Sequence, residues 1–252
     1  MRSDPEKCIG CELCRIYCPV DVIHTKPRSP DMPGKGKYYV VIDEEGCVEC
    51  RCCVRADVCK SGALYQPEMQ WPRTIRAAFS DPSITFAETG VPGRGTEEMK
   101  TNEVTSRYKR GMVGIATEMG RPGVGARLRD LEKMAMALAG IGARFEPKNP
   151  VTAVLMEDTR TGKLKPDVLN EKVLSAIIEA EVPLEKFRKA LEAIREVGKN
   201  LESVFSLDVI CPPEADGIIP VLPIIAREGL EVRINGKTNL GLGRHTNKQE
   251  ER

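Results

Sequence analysis

Residues 8–19 read Cys8-Ile9-Gly10-Cys11-Glu12-Leu13-Cys14-Arg15-Ile16-Tyr17-Cys18-Pro19, a C-x2-C-x2-C-x3-C-P run. A second run follows as Cys47-Val48-Glu49-Cys50-Arg51-Cys52-Cys53, with Cys59 after five intervening residues. Only Cys211, of the 10 cysteines, lies outside this stretch. The opening MRSDPEKC has no apolar signal core behind its Arg2, so the expected location is the cytoplasm. Thiols there are kept reduced. Thiolates at such short spacing then point to metal and not to disulfides.

The spacing suits a cube of four irons, each corner wanting one thiolate. Three cysteines at intervals of three wrap one face, and the fourth ligand comes from elsewhere. Pro19 turns the chain away and stops a helix from continuing. Zinc prefers two C-x2-C pairs with a spacer, which a run of three cysteines plus Cys-Pro does not reproduce. Zinc, or one cluster beside something else, are the competing readings.

Residues 4–66 resemble a bacterial-type two-[4Fe–4S] ferredoxin domain. In that family the two motifs exchange their fourth ligands. The resemblance implies that Cys8, Cys11, Cys14 and Cys59 hold cluster 1, and that Cys47, Cys50, Cys53 and Cys18 hold cluster 2. Two departures stand out. The last interval is x5 instead of x3, and Lys60 replaces the usual proline. Asp57 falls where x3 spacing would put the ligand. A carboxylate can bind iron, but thiolate is the softer ligand, so Cys59 is preferred. Cys52 is surplus and reads as a shielded free thiol. Cys211, in Val209-Ile210-Cys211-Pro212-Pro213, reads as a buried cysteine at a strand end.

Residues 47–81 and 89–101 further resemble the ferredoxin-containing part of 6-hydroxynicotinate reductase-type proteins of anaerobes. That likeness implies reduction of an aromatic or α,β-unsaturated substrate with electrons fed from ferredoxin. The chain shows no flavin motif, so a flavin and the active site would sit on a partner.

The formal net charge of +1 over 252 residues gives no argument for nucleic acid. No apolar run approaches the roughly 18–20 residues that span a bilayer. Two oxidised clusters would make residues 1–66 net acidic by about four units, whereas residues 71–150 carry more cations than carboxylates. Opposite signs favour docking of the two parts or of a partner.

The expected fold class is α+β, an N-terminal bacterial ferredoxin-like 2[4Fe–4S] domain followed by a compact α/β sandwich. Residues 1–70 form the first, 71–110 an extended linker or wrap-around arm, 111–244 a docking or substrate domain, and 245–252 a disordered tail. Strands at 22–23 and 38–42 flank a Pro/Gly/Lys-rich loop at 26–37. Trp71-Pro72 and Phe79 are expected to pack back on the ferredoxin-like domain. The Gly-rich stretch 89–100 reads as part of the arm, and Arg107-Tyr108-Lys109-Arg110 as a solvated basic face.

Beyond residue 111 the expected elements are a strand at 112–117 and a helix through Leu128, Leu131, Met134 and Leu138. A strand at 151–156, a helix at 167–181 and a helix opening at Pro183 follow. A strand at 207–210, a helix at 218–227 and a hairpin at 231–240 about Asn235-Gly236 complete the chain. Glu118 to Arg127 places a glycine turn between strand and helix. Arg121, Gly123, Gly125 and Arg127 are thus a candidate anion site, with a plain structural turn as the alternative. Its spacing is neither the dinucleotide nor the Walker pattern. His24 and His245 read as surface residues, and no nucleophile–base pair stands out.

These features lead to an iron–sulfur electron-transfer subunit. It would pass low-potential electrons between a donor or acceptor and a catalytic oxidoreductase subunit, as part of an anaerobic hetero-oligomer. A self-contained reductase and a non-enzymatic redox sensor are the alternatives. No helix-turn-helix with a basic recognition face supports a transcriptional version.

Overall fold

The computed structural model describes residues 1–85, 90, 107–121 and 123–232. The Gly-rich stretch is outside the described residues except for Gly90, the hairpin except for residues 231–232, and the tail entirely.

The N-terminal region contains β1 (Arg2–Ser3), α1 (Leu13–Ile16), β2 (Ile23–Pro27), β3 (Tyr38–Ile42), α2 (Cys52–Arg55) and β4 (Leu64–Tyr65). β1 pairs antiparallel with β4, and β2 with β3. Tyr38-Tyr39-Val40-Val41-Ile42 is β-branched and aromatic, as a half-buried strand requires. Val40 and Ile42 turn inward with Ile23 onto a core shared with Cys8, Cys14, Cys47 and Cys53. β2 extends to Pro27, so the loop is shorter than expected and spans 28–37. Arg28 ties this loop down, donating to the carbonyls of Pro5 at 2.8 Å and Cys8 at 2.9 Å.

An internal repeat is visible in the backbone. Cys8 N–H donates to Asp4 O at 3.0 Å, and Cys47 N–H to Asp43 O at 3.0 Å. The Asp4 carboxylate accepts from Glu6 N–H and the Asp43 carboxylate from Glu45 N–H, both Asx turns. Each cysteine loop is followed by a one-turn helix, α1 or α2. The strands that flank one loop pair with those that flank the other, so the halves interlock.

The next segment differs from the expected extended arm. α3 (Thr74–Ser80) is helical, and its Ile75 and Phe79 enter the large C-terminal core, not the ferredoxin-like one. Trp71 donates through Nε1 to Asp167, also in the C-terminal half.

That half contains β5 (Met112–Met119), β6 (Ala126–Arg127), α4 (Leu128–Gly140), β7 (Arg144–Phe145), β8 (Met156–Asp158) and β9 (Lys163–Leu164). It continues with β10 (Lys172–Val173), β11 (Ala176–Pro183), α5 (Phe187–Gly198), β12 (Phe205–Ile210) and α6 (Val221–Arg227). The main sheet runs β12–β5–β11–β7 with every neighbour antiparallel. With α4 after β5 and α5 after β11, this is the split β-α-β arrangement. Leu128, Leu131, Met134 and Leu138 of α4 recur at three- and four-residue intervals and pack with Phe187, Leu191 and Ile194 of α5.

Two expected elements are corrected. Residues 167–181 are not a helix but a 3-10 turn at Pro166–Val168, then β10, then most of β11. β11 is a central strand with Ile178, Ala180 and Val182 facing the helices and Ile177 and Glu179 buried on the other side. Burial on both faces hides the alternation by which a strand is recognised. Residues 151–156 are not a strand, because Val151–Leu155 make a wide π-type turn and β8 starts at Met156. Its start is capped by Asn149, whose side-chain oxygen accepts from Val151 N–H at 2.8 Å.

Pro183 ends β11 opposite Met112 and leads through a 3-10 turn into α5. The basic run at 107–110 is not simply solvated. Arg107 pairs with Glu146 at 3.0 Å, and the Tyr108 ring is buried on Gly114, where an added Cβ would lie 2.6 Å from the ring. Among the described residues, no helix is long and apolar enough to cross a membrane.

Candidate metal centre

In both cysteine loops the residues beside the second cysteine adopt left-handed backbone. In the first loop Gly10 has φ 71° and Glu12 φ 61°, and in the second Glu49 and Arg51 both have φ 56°. Three of these four are not glycine, and such conformations cost about 1 kcal/mol or more each. Strain repeated at equivalent places is the mark of a loop curled around something. Gly10 has a further reason to be glycine, since a Cβ there would meet Tyr38 O at 2.5 Å.

Cys18 and Cys59 sit in the same local frame. Three residues on, Asp21 N–H donates to Cys18 O and Gly62 N–H to Cys59 O. Both of those residues are left-handed, with φ 47° and φ 63°. Four residues on, Val22 N–H reaches Cys18 Sγ at 3.4 Å and Ala63 N–H reaches Cys59 Sγ at 3.3 Å. β2 and β4 begin immediately after. Asp57 is turned outward, its side chain 91% exposed and paired with Lys60 at 3.1 Å. The two extra residues before Cys59 are thus absorbed at a left-handed Asp57, φ 49°.

The sulfurs fall into two groups. Cys18, Cys47, Cys50 and Cys53 line one small cavity, walled by Val22, Ile23 and Ile42. Burial pushes the Cys53 thiol up to about 12, followed by the effect of Cys47 and Cys18 and, more weakly, Cys14. Burial likewise raises Cys50 to about 12. Cys14 is raised to about 11, first by burial and then by Cys59, Cys8 and Cys11. Cys8, Cys11 and Cys59 are thus the thiols close enough to act on Cys14. At Cys59 burial opposes ionisation, but donors from Ser61, Leu64 and Ala63 outweigh it and lower the thiol. None of the cysteines forms a disulfide. Soft thiol donors are the donor set an iron–sulfur cube takes, and among the described residues no three His, Cys, Asp or Glu side chains are grouped closely enough to hold a single metal ion.

Buried charges surround Cys47, Cys50 and Cys53, and no spacing or periodicity in the sequence marks them. Glu49 is fully buried and paired with Arg73 at 2.5 Å and with the Met1 amine. Arg76 is 3% exposed, donates to the carbonyls of Glu44, Glu45 and Cys47, and pairs with Glu171. Arg55 donates to Cys50 O at 2.8 Å and to the buried Asp81 at 2.7 Å. Cys52 is half-buried, with Arg55 Nη2 at 3.4 Å from its sulfur. Cys211 is half-buried just past the end of β12, against the C-terminal core, and burial raises its thiol.

The remaining candidates are placed as follows. The N–H groups of Gly123, Val124 and Gly125 all turn to Gly120 O. Arg121 pairs with Glu118 at 3.1 Å, and Arg127 donates to Asn170 O at 2.7 Å. The first α4 amides donate to Glu171 O and Leu169 O. This turn closes on itself. His24 is exposed on β2, and His245 lies outside the described residues.

Residues 7–63 match a family model described as a 4Fe-4S dicluster domain. These residues are a ferredoxin-type domain. The match spans all nine N-terminal cysteines and implies binding of [4Fe–4S] chemistry. No curated protein and no solved structure matches the chain. The wider resemblance to 6-hydroxynicotinate reductase-type proteins finds no support in these comparisons.

Proposed function

We propose that the chain is an electron-transfer subunit holding two [4Fe–4S] clusters and relaying single electrons to or from a catalytic oxidoreductase partner. Cys8, Cys11, Cys14 and Cys59 are assigned to one cluster, and Cys18, Cys47, Cys50 and Cys53 to the other. The observation that carries this reading is the cavity in which Cys18, from the first motif, joins Cys47, Cys50 and Cys53 of the second, with Cys59 held in the same local frame as Cys18. A [4Fe–4S] cluster supplies reversible one-electron chemistry, near about −400 mV in low-potential ferredoxins.

The chain's own groups tune that chemistry. Amides of Val40, Val22 and Ala63 donate to the sulfurs of Cys8, Cys18 and Cys59, offsetting thiolate charge. The apolar wall around Cys47, Cys50 and Cys53 excludes water. The C-terminal region exceeds what a simple relay needs and is assigned to partner docking, with any flavin on that partner.

Anaerobic purification with iron, sulfide and zinc quantitation tests the core of this reading. About eight irons per chain and a reduced-state spin signal are expected. Fewer than about six irons, or stoichiometric zinc, would overturn it. A catalytic subunit should co-purify from the native source, and a strict monomer there counts against the subunit role.

A further inference from the structure

The two cysteine loops share backbone geometry but not surroundings. Val48 is 1% exposed and packs with Cys50 against Leu174 of the C-terminal region. Its repeat counterpart, Ile9, is 48% exposed, and Cys11, counterpart of the buried Cys50, is exposed too. Around Cys11 lie the exposed apolar side chains of Ile9, Leu13 and Ile16, with Tyr38 against Gly10. Leu13 and Ile16 line a hollow together with Cys11, Glu12, Arg15 and Asp21. An apolar patch of this kind on a protein surface marks an interaction site. Because its centre is a cysteine assigned to a cluster, an occupant placed there is positioned to exchange electrons.

Two clusters would make residues 1–66 net acidic as a whole, but the charge beside this patch is locally basic, and that local sign selects the occupant. Segment 26–37 carries Lys26, Arg28, Lys35 and Lys37 against a single carboxylate, Asp31. Lys35 and Lys37 are exposed and in no ion pair among the described residues. Gly36 presses this segment on the patch, since a Cβ there would meet Ile9 O at 2.7 Å. Glu12 is already held by Arg15 at 3.0 Å and Thr25 at 2.7 Å, leaving Asp21 as the carboxylate in the hollow that has no ion pair among the described residues.

We propose that this face is the docking surface for an acidic one-electron carrier protein. The proposal rests on the assignment of Cys8, Cys11, Cys14 and Cys59 to a cluster. The buried Cys47–Cys50 loop then faces inward to the C-terminal region, and the open loop is the port for exchange with the carrier.

Calorimetric titration of the iron-loaded full chain tests this, with an acidic flavodoxin as probe and a basic c-type cytochrome as contrast. At low salt the flavodoxin should bind at least about tenfold more tightly than the cytochrome, and high salt should weaken it. The double variant Lys35→Glu/Lys37→Glu should lose about tenfold in flavodoxin affinity at low salt. Ile16→Glu should weaken binding at any salt. Equal binding of the two probes, or indifference to both variants, would overturn the proposal. Iron content and spin signal on the same samples separate the two readings. A wild-type chain without iron sinks the cluster assignment and the port with it. A fully loaded chain with no charge preference sinks the port alone.

Discussion

The loops at Cys8–Cys18 and Cys47–Cys59 are built alike and set in opposite environments. In the first, a surface ion pair, Arg15–Glu12, flanks an open hollow. In the second, Glu49, Arg76 and Asp81 are all buried and each has a paired charge. The backbone twist is thus set by what the sulfurs must hold. Exposure is set by what the rest of the chain lays over them. One loop is stitched into the C-terminal half by α3 and Leu174, and the other is left at the surface.

The comparison breaks first if the fourth ligands are misassigned. Cys59→Ser should reduce iron from about eight to about four per chain, and Cys18→Ser should do the same. Asp57→Ala should leave it unchanged. Iron retained in Cys59→Ser but lost in Asp57→Ala would reverse the assignment.

Next in size is the difference in buried charge. Arg76→Leu leaves Glu171 and three carbonyls without their donor and should cost about 3 kcal/mol in thermal or denaturant unfolding. Arg15→Leu, at the exposed pair, should cost less than about 1 kcal/mol. Similar losses for both would mean that the second loop is not anchored as described.

A smaller contrast comes from packing. Leu174→Ala should destabilise by about 2–3 kcal/mol and make the cluster proposed at Cys50 more open to oxygen, followed as faster bleaching in air. Ile9→Ala should cost under about 1 kcal/mol.

The smallest effect belongs to Tyr108. Burial raises its phenol, and Glu179 adds to the shift. The folded chain therefore favours the neutral form, while the unfolded phenol ionises near about 10. Stability is full below that pH and falls as the pH rises past it. Tyr108→Phe should flatten this alkaline loss, measured as the melting temperature between pH 9 and pH 11 (an order-of-magnitude window about the phenol value). An unchanged slope would show that another group titrates.

The cysteine frame was legible because ligand spacing is local and a cube leaves few ways to wrap it. The helices α4 and α5 were legible from one-sided periodicity. β11 was not, because Ile177 and Ile178 are both buried, on opposite faces, and the two-residue alternation disappears. α3 was missed because seven residues with two apolar anchors, Ile75 and Phe79, carry too little pattern. The repeat was obscured by the longer interval before Cys59, which breaks the alignment of the halves. Glu49, Arg76 and Asp81 were overlooked because charged residues normally face water.

Arg76 gives the molecule a mechanical link as well as an electrostatic one. Its guanidinium grips Cys47 O on one side and Glu171, next to β10, on the other. Damage that releases Cys47 takes an acceptor from a cation already shut away from solvent, and the edge around β10 loses a brace. Loss of inorganic sulfide by oxidation is therefore expected to loosen a distant sheet margin, readable as faster amide exchange at Lys172 and Val173. Unaltered exchange at those two amides after cluster loss would show that the halves melt independently.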